Sequence, residues 1–379
     1  ADGSRHRFLH TGSNARWSPT GDRILFIANG HNKKPQLFIR WMNSEGAVSQ
    51  VTRVDVTPSS PKWSPDGTQI AFVAIVPATD NWNIDLPESP DNAKWTEPPR
   101  VVERLHYRQD YVGFRDPGYT HLFVVPAESG TARQLTDGEW NVGAQFDGLF
   151  QGAGLSWMPN SAAIVFDGLN EPDADLVYQR SHIYSIEISS REINQLTKQL
   201  GFWTTPEVSG DGRKIAYTGY PASDITYEMP RVRIMNADGS DAYLLMEELD
   251  RPINNMIWAS NNRGVYFTVE DQGYTNVLYA SLNGDVRSVT EGQHTFTLNS
   301  MNRNSTMGVG TGASFYKPGD IYSFALSGRG SPNQLTAIND DLMLNKVLGA
   351  QEEMWFEASD GNRSHGWLVK PPDFDPDKK

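Results

Sequence analysis

The sequence predicts an all-β chain: a β-propeller of seven repeats of four-stranded antiparallel blades, the first repeat incomplete. Three observations carry this expectation. One hairpin motif recurs along the 379 residues, a second strand-turn-strand unit ending near Gln-Leu-Thr follows it, and the turns between them draw on 33 Gly and 23 Pro. Self-similarity at a period of about 40–50 residues is the signature of a repeat architecture, and four short strands per repeat describe a propeller blade.

The hairpin reads ARWSPTGDRILFIA at 15–28, PKWSPDGTQIAFVA at 61–74, LSWMPNSAAIVFDG at 155–168, PEVSGDGRKIAYTG at 206–219 and MIWASNNRGVYFTV at 256–269, with a degenerate copy, NSMNRNSTMGVGTG, at 299–312. A strand ending in Trp enters. Pro presets φ at the first turn position, Asp supports the turn through its side chain, and Gly takes the position that needs φ > 0. The strand that leaves alternates, as in Ile24 and Phe26 or Ile70 and Phe72, which predicts a half-buried strand. Trp17, Trp63, Trp157 and Trp258 stand at one fixed position of the repeat and are expected to pack between neighbouring blades.

The second unit reads HLFVVPAESGTARQLT at 121–136, HIYSIEISSREINQLT at 182–197 and DIYSFALSGRGSPNQLT at 320–336. Terminal strands fall at Phe8–His10, Gln50–Thr52, Gln134–Thr136, Gln195–Thr197, Leu244–Met246, Ser288–Thr290 and Gln334–Thr336, which makes the count seven. Trp63 and Trp157 lie two periods apart with a single second unit between them, so the excess is assigned to an insertion at about 75–119. Its first half is rich in Pro, Asp and Asn and reads as loop, and its second half, RVVERLHYRQDYVGF at 100–114, reads as a strand pair. Both ends look cut. ADGS at 1–4 matches ADGS at 237–240, in the turn between the last two strands of a blade, which places the inner strands of the first repeat upstream of Ala1.

Composition narrows the function. With 38% hydrophobic content, 11 Trp, 14 Tyr and 16 Phe, the chain can bury a large core. The absence of cysteine excludes disulfide scaffolds and zinc-cysteine sites and is neutral about compartment. A net charge of −13 without a Lys/Arg cluster predicts neither nucleic acid nor a membrane surface as partner. No apolar run approaches the roughly 18 residues that a spanning helix needs.

The hairpin PKWSPDGTQIAFVA, the Gln-Leu-Thr strands, the insertion PPRVVERLHYRQDYVGFRDPGYTHLFVV at 98–125 and the tail MWFEASDGNRSHGWLVKPPDFDPDKK at 354–379 together resemble the prolyl oligopeptidase family of serine peptidases, in its acylaminoacyl-peptidase and dipeptidyl-peptidase branch. The WSPDG hairpin is shared with TolB-like and WD40-like propellers; the insertion and the tail are more specific. The resemblance implies a propeller over 1–345 and, over 346–379, the linker and leading strands of a truncated α/β-hydrolase domain. It also implies the functional reading: a propeller that gates the access of short peptides to a Ser-His-Asp site in its own missing α/β-hydrolase domain.

The chemistry of that site is absent from the sequence. A serine hydrolase on this fold needs a G-x-S-x-G elbow followed by Asp and His; Ser156 sits in GLSWM and Ser314 in GASFY, neither with the second Gly. The eight His, at 6, 10, 31, 106, 121, 182, 294 and 365, show no ligand spacing, so no catalytic residue, metal site or cofactor is assigned. The acidic stretch NEPDAD at 170–175 lacks the Gly and closing Glu of a calcium loop and reads as a solvated loop. Glu247-Glu248 and Glu352-Glu353 are adjacent pairs of the kind the family uses to hold a peptide amino terminus, but neither lies in a helical segment as the family's pair does. The better functional surface is the insertion, where Arg104, Tyr107, Arg108, Tyr111 and Asp116 extend beyond the blade as substrate-gating candidates; the bland alternative is that they pack the inserted hairpin on its own blade. Two rival functions stand beside gating: a stand-alone TolB-like protein-binding propeller, and a propeller lyase or glycosidase, which would need convergent carboxylates or His that the sequence does not display.

Overall fold

The computed structural model describes residues 11–377 apart from 32, 44–45, 79–89, 94–100, 111–112, 116, 129, 147–148, 151–152, 178 and 226. Among the described residues the only helical pieces are the single turn Ala174–Leu176 and the short helix Asp340–Met343; the rest is strand and turn. The described chain divides into two compact units, residues 11–228 with 233–243, and residues 229–232 with 244–377.

The first unit is built from antiparallel meanders. Its first sheet runs Ser13–Trp17, Arg23–Asn29, Pro35–Trp41 and Val48–Gln50. The second runs Ser59–Trp63, Gln69–Pro77, Gly118–Pro126 and Arg133–Gln134. The third runs Leu155–Trp157, Ala163–Leu169, His182–Glu187 and Ile193–Gln195, with Asn141–Val142 also paired to the end of its second strand. The fourth runs Gly201–Val208, Lys214–Pro221, Arg231–Asn236 and Tyr243–Leu244. In the second unit, Ile253–Trp258, Gly264–Asp271, Tyr274–Ser281 and Val286–Ser288 form one meander, and Ser300–Met301, Met307–Ser314, Lys317–Ala325 and Asn333–Gln334 another. These two join through Thr295–Phe296. A separate hairpin, Gln351–Glu357 with Arg363–Val369, closes the described chain. The terminal strand expected at Phe8–His10 lies outside the described residues.

The second strands Gln69–Pro77, Ala163–Leu169, Lys214–Pro221 and Gly264–Asp271 depart from the half-buried expectation, whereas Met307–Ser314 alternates as expected. In Gln69–Pro77, Ile70, Ala71, Phe72 and Val73 are all fully buried, so both faces of that strand are covered. The reason is face-to-face packing. Ile70 and Phe72 join a cluster with Leu25 and Leu37 of the first sheet, while Ala71 and Val73 join one with Trp157 and Phe166 of the third. Strands covered on both sides read as continuous apolar runs.

Entry tryptophans close the inner ends of these seams. Trp63 donates its indole N–H to the carbonyl of Arg16 at 3.2 Å, and Trp157 donates to the carbonyl of Lys62 at 3.3 Å, each reaching the preceding sheet. Trp258 is likewise buried. Trp17 is not: it is 58% exposed, since no described sheet of its unit precedes it.

The Gln-Leu-Thr strands are clasps. Thr52, Thr136, Thr197, Thr290 and Thr336 each accept, on Oγ1, the backbone N–H of the third strand at Leu37, Leu122, Ile183, Val277 and Ile321, every time at 2.9 Å. A polar side chain one residue earlier completes the clasp: Gln36, His121, His182, Asn276 or Asp320. The Gln of the motif returns its Nε2 to the Thr carbonyl at Gln50, Gln134, Gln195 and Gln334. Burial holds His121 below its ordinary pKa against the opposing pull of Asp137 and the Gly138 backbone, so this histidine is a neutral structural partner.

The inner strands carry a feature the sequence hides. Their pairing slips by a bulge in four sheets, and a non-glycine residue three before the Trp position adopts left-handed backbone: Asn14, Ser60, Thr205 and Asn255, with φ between 49° and 54°. Such bulges increase local twist. At Thr205, a β-branched residue, the conformation is strained.

Replacing Thr136 with Val keeps the shape and removes the acceptor for the buried Leu122 N–H. The expected cost is about 1–3 kcal/mol, read as a lower urea midpoint, with no change expected for a Thr131→Val control at an exposed loop position.

Candidate functional site

The insertion is narrower than its sequence boundaries. The second strand of the second sheet runs on to Pro77 and pairs there with Gly118, so the chain leaves the sheet only between those residues. Beyond them, Arg108–Gln109 pairs with Gly113–Phe114 to form the tip of an arm. Tyr107 and Phe114 stack at 6.0 Å, and the Arg115 N–H donates to the Tyr107 carbonyl at 2.9 Å.

The arm is anchored by one carboxylate. Asp175, in the loop between strands of the third sheet, accepts the Leu105 N–H at 2.6 Å and faces His106 Nδ1 at 3.2 Å and Arg104 Nε at 3.8 Å. Partial burial alone would raise its pKa; the Leu105 amide, His106 and Arg104 outweigh that and hold it below the usual carboxylate range. Arg104 also donates to the Gly118 carbonyl at 3.1 Å and lies 4.5 Å over the Tyr119 ring. The rest of the acidic stretch is similarly engaged: Glu171 binds Arg180 and meets His182 Nε2 at 3.0 Å, and Asp173 lies 3.4 Å from Arg180. The stretch read as a solvated loop is therefore a bracket for the arm and for its own strand.

Of the five candidates drawn from the sequence, Arg104 is turned inward as an anchor. Tyr107 and Arg108 are exposed at the tip, and Leu105, Phe114 and Leu176 are exposed around them. Tyr111 and Asp116 lie outside the described residues. Of the adjacent glutamate pairs, Glu352-Glu353 is not arranged as an ammonium clamp. Glu352 and Glu353 are successive strand residues that point to opposite faces, one bound to Lys370 and the other 3.2 Å from His365.

Sequence reasoning missed a second polar locus, on the inner strands of the second, third and fourth sheets. Lys62 Nζ meets Glu207 Oε1 at 3.0 Å, and Ser156 donates to Glu207 Oε2 at 3.2 Å while accepting the Val208 N–H at 2.9 Å. Close by, the fully buried Asp167 accepts the Gly154 N–H at 2.9 Å, the Thr204 hydroxyl at 2.7 Å and the Thr205 N–H at 2.9 Å. Gly154 is required: a Cβ there would stand 2.6 Å from the Asp167 carboxylate and 2.9 Å from Thr205 Cα. Burial pushes the Asp167 carboxyl up to about 6, against the three donors that pull it down. The only sequence signal was an Asp in an otherwise apolar strand.

Two outcomes follow. Asp175→Asn removes the charge that holds Arg104 and His106, so limited proteolysis is expected to cut within 101–118 several-fold faster, with thermal stability shifted by about 1 kcal/mol or less. Asp167 has a folded-state pKa above its ordinary 3.8, so its contribution to stability is full below pH 4 and is lost as pH rises through about 6. Measured against Asp167→Asn, the wild-type chain should gain on the order of 2–3 kcal/mol in urea unfolding between pH 7 and pH 4.

No protein-family model matches the chain. It is 26% identical over 273 residues to dipeptidyl-peptidase 5 of Porphyromonas gingivalis, an alignment covering 68% of this chain and 38% of that one. Among solved structures it superposes on an acylaminoacyl peptidase in complex with Z-Gly-Gly-Phe-chloromethyl ketone with a TM-score of 0.72 and 19% identity, covering all of this chain and 53% of that chain. On the β-propeller domain of the Trilobed protease from Pyrococcus furiosus the TM-score is 0.60 with 16% identity, covering 88% and 86%. The chain thus spans about half or less of the two peptidases and nearly all of the isolated propeller domain. Nearly all-β among its described residues, the chain is similar in sequence to a dipeptidyl-peptidase and in fold to an acylaminoacyl peptidase and to the isolated propeller domain of a protease.

Proposed function

We propose that this chain is the substrate-gating propeller of a serine exo- or oligopeptidase: seven repeats over 1–345, with 346–379 leading into an α/β-hydrolase domain. The observation that carries the reading is the arm, rigidly anchored through Asp175 yet presenting exposed Leu105, Tyr107, Arg108 and Phe114 at its tip. A loop extended from a rigid sheet and tipped with aromatic and cationic groups suits contact with peptide chains.

The closing hairpin supports the second half of the reading. One face carries Trp355, His365 and Trp367, whose rings meet tilted and then edge to face in a row that ends edge to face on Tyr274. Its other face exposes Met354, Phe356 and Leu368, as a strand pair awaiting a packed neighbour does. The hydrolytic chemistry belongs to that neighbour, since no G-x-S-x-G occurs in the 379 residues.

The test compares substrates of different length in a form of the protein that carries a serine-hydrolase domain. Asp175→Asn, which frees the arm, should raise turnover of a peptide of about 30 residues several-fold while leaving a dipeptidyl or acylaminoacyl chromogenic substrate within about twofold. The 379-residue chain alone should show no turnover of either. Equal effects on long and short substrates would remove the gating role, and turnover by the chain alone would remove the division of labour.

A further inference from the structure

The closing hairpin meets the rest of its unit at two turns. Trp367 lies edge to face on Tyr274 with ring centroids 5.0 Å apart, and the Gln351 N–H donates to the Tyr316 hydroxyl at 3.1 Å. Gly273 makes the first contact possible: at φ of 78°, it stands where a Cβ would be 2.7 Å from the Trp367 indole nitrogen. The face that docks carries residues 353, 355, 365 and 367, because Glu353 pairs with Trp367 and Trp355 with His365 across the hairpin.

At the centre of that face is an unfinished interaction. Glu353 Oε1 accepts the Trp355 indole N–H at 2.8 Å and stands 3.2 Å from His365 Nε2. That nitrogen is buried and lacks the alignment of a hydrogen bond with any group among the described residues. A neutral imidazole offers the carboxylate either a bare lone pair or a poorly aligned N–H. An imidazolium adds a full positive charge, whose attraction does not depend on alignment. The surroundings leave this pair to itself. Arg363, on the same face, lies 4.8 Å over Trp355 and has Glu357 as its cross-strand neighbour, and Lys370 pairs with Glu352 on the opposite face. On the turn that the hairpin meets, Asp271 is taken up by Arg251, and burial followed by the Glu353 charge raises the Tyr274 pKa, so Tyr274 stays a neutral phenol.

We propose that His365 is a proton-operated lock on this hairpin: with its imidazole charged it holds Glu353, Trp355 and Trp367 in the arrangement that docks on Tyr274, and with the proton lost the dock loosens. The stabilisation is therefore present at low pH and is lost as pH rises through the range in which imidazole titrates. The firmness with which the hairpin is held against the meander before it then responds to acidity. That purpose rests on the reading that the hairpin leads into a further domain. The lock itself needs only this chain, so the two can fail separately.

Hydrogen-exchange protection factors, which already remove the intrinsic effect of pH on amide exchange, test this on the intact chain. The Gln351 amide reads the dock, because its acceptor is the Tyr316 hydroxyl of the neighbouring turn. Between about pH 5.5 and about pH 8 its protection should fall about threefold, the scale of a partly exposed ion pair. The amides of 265–269, in the buried strand Gly264–Asp271, should keep theirs. His365→Gln should abolish the pH dependence. Glu353→Gln, which keeps an acceptor for the Trp355 indole, should be equally flat, at the level that the wild-type chain shows at the upper pH. If His365→Gln does not fold, the wild-type series and Glu353→Gln decide. Protection at Gln351 that is unchanged across this range overturns the proposal. So does a fall that survives in Glu353→Gln or is matched at 265–269, because the proton would then act elsewhere.

Discussion

A sheet packed on both faces shuts water out from its strand ends, and the threonine hydroxyl that takes up the stranded backbone amide is the interaction on which five of the six described meanders depend. At Leu37, Leu122, Ile183, Val277 and Ile321 the amide of the third strand lies where the fourth strand is already leaving the sheet. An unmet buried donor there would cost about as much as several surface contacts contribute. The clasp therefore explains both the recurrence of Gln-Leu-Thr and the otherwise odd burial of His121, His182 and Asp320. It also gives two of the histidines a structural role that removes them from any search for a catalytic base. The fourth sheet shows the limit of the rule: its terminal strand reads Leu-Leu-Met, and there Leu245 bonds directly to the Val232 carbonyl.

The same constraint of two-sided packing governs where chemistry can appear. Carboxylates lie where an apolar closure is missing. Asp175 brackets an arm that has left its sheet, Glu207 fills the place of an absent indole, and Asp167 holds two inner strands at the point where both depart from regular pairing. Each is matched by donors from a neighbouring segment, so the polar groups of the first unit act as ties between segments rather than as a convergent catalytic cluster.

The all-β character, the recurrence of the hairpin and the local chemistry of its turns were legible in the sequence because they depend on residues within four positions of one another. Pro65, Asp66 and Gly67 shape their turn without help from elsewhere: Gly67 takes φ of 71°, and Asp66 accepts bonds from Ser64 and Thr68. Where Gly is missing, Ser161 and Asn262 adopt the same left-handed geometry, so the turn is enforced by the hairpin as well as chosen by its residues. The bulges at Ser60 and Thr205 left no such mark, because their backbone is dictated by the twist of the inner strand and not by a glycine.

The sequence by itself determined the strand-and-turn grammar, the resemblance to peptidase propellers and the absence of a nucleophile elbow. Only the tertiary structure decided that Arg104 anchors the arm while Tyr107 and Arg108 are presented, that Trp17 is exposed where Trp63 and Trp157 are buried, and that Lys62 meets Glu207 across a sheet between them. The physical reason is distance along the chain. Hairpin turns are set by neighbours in sequence, whereas ion pairs and seams join residues as much as 145 positions apart, and no local pattern encodes which of many charges will face one another when sheets stack.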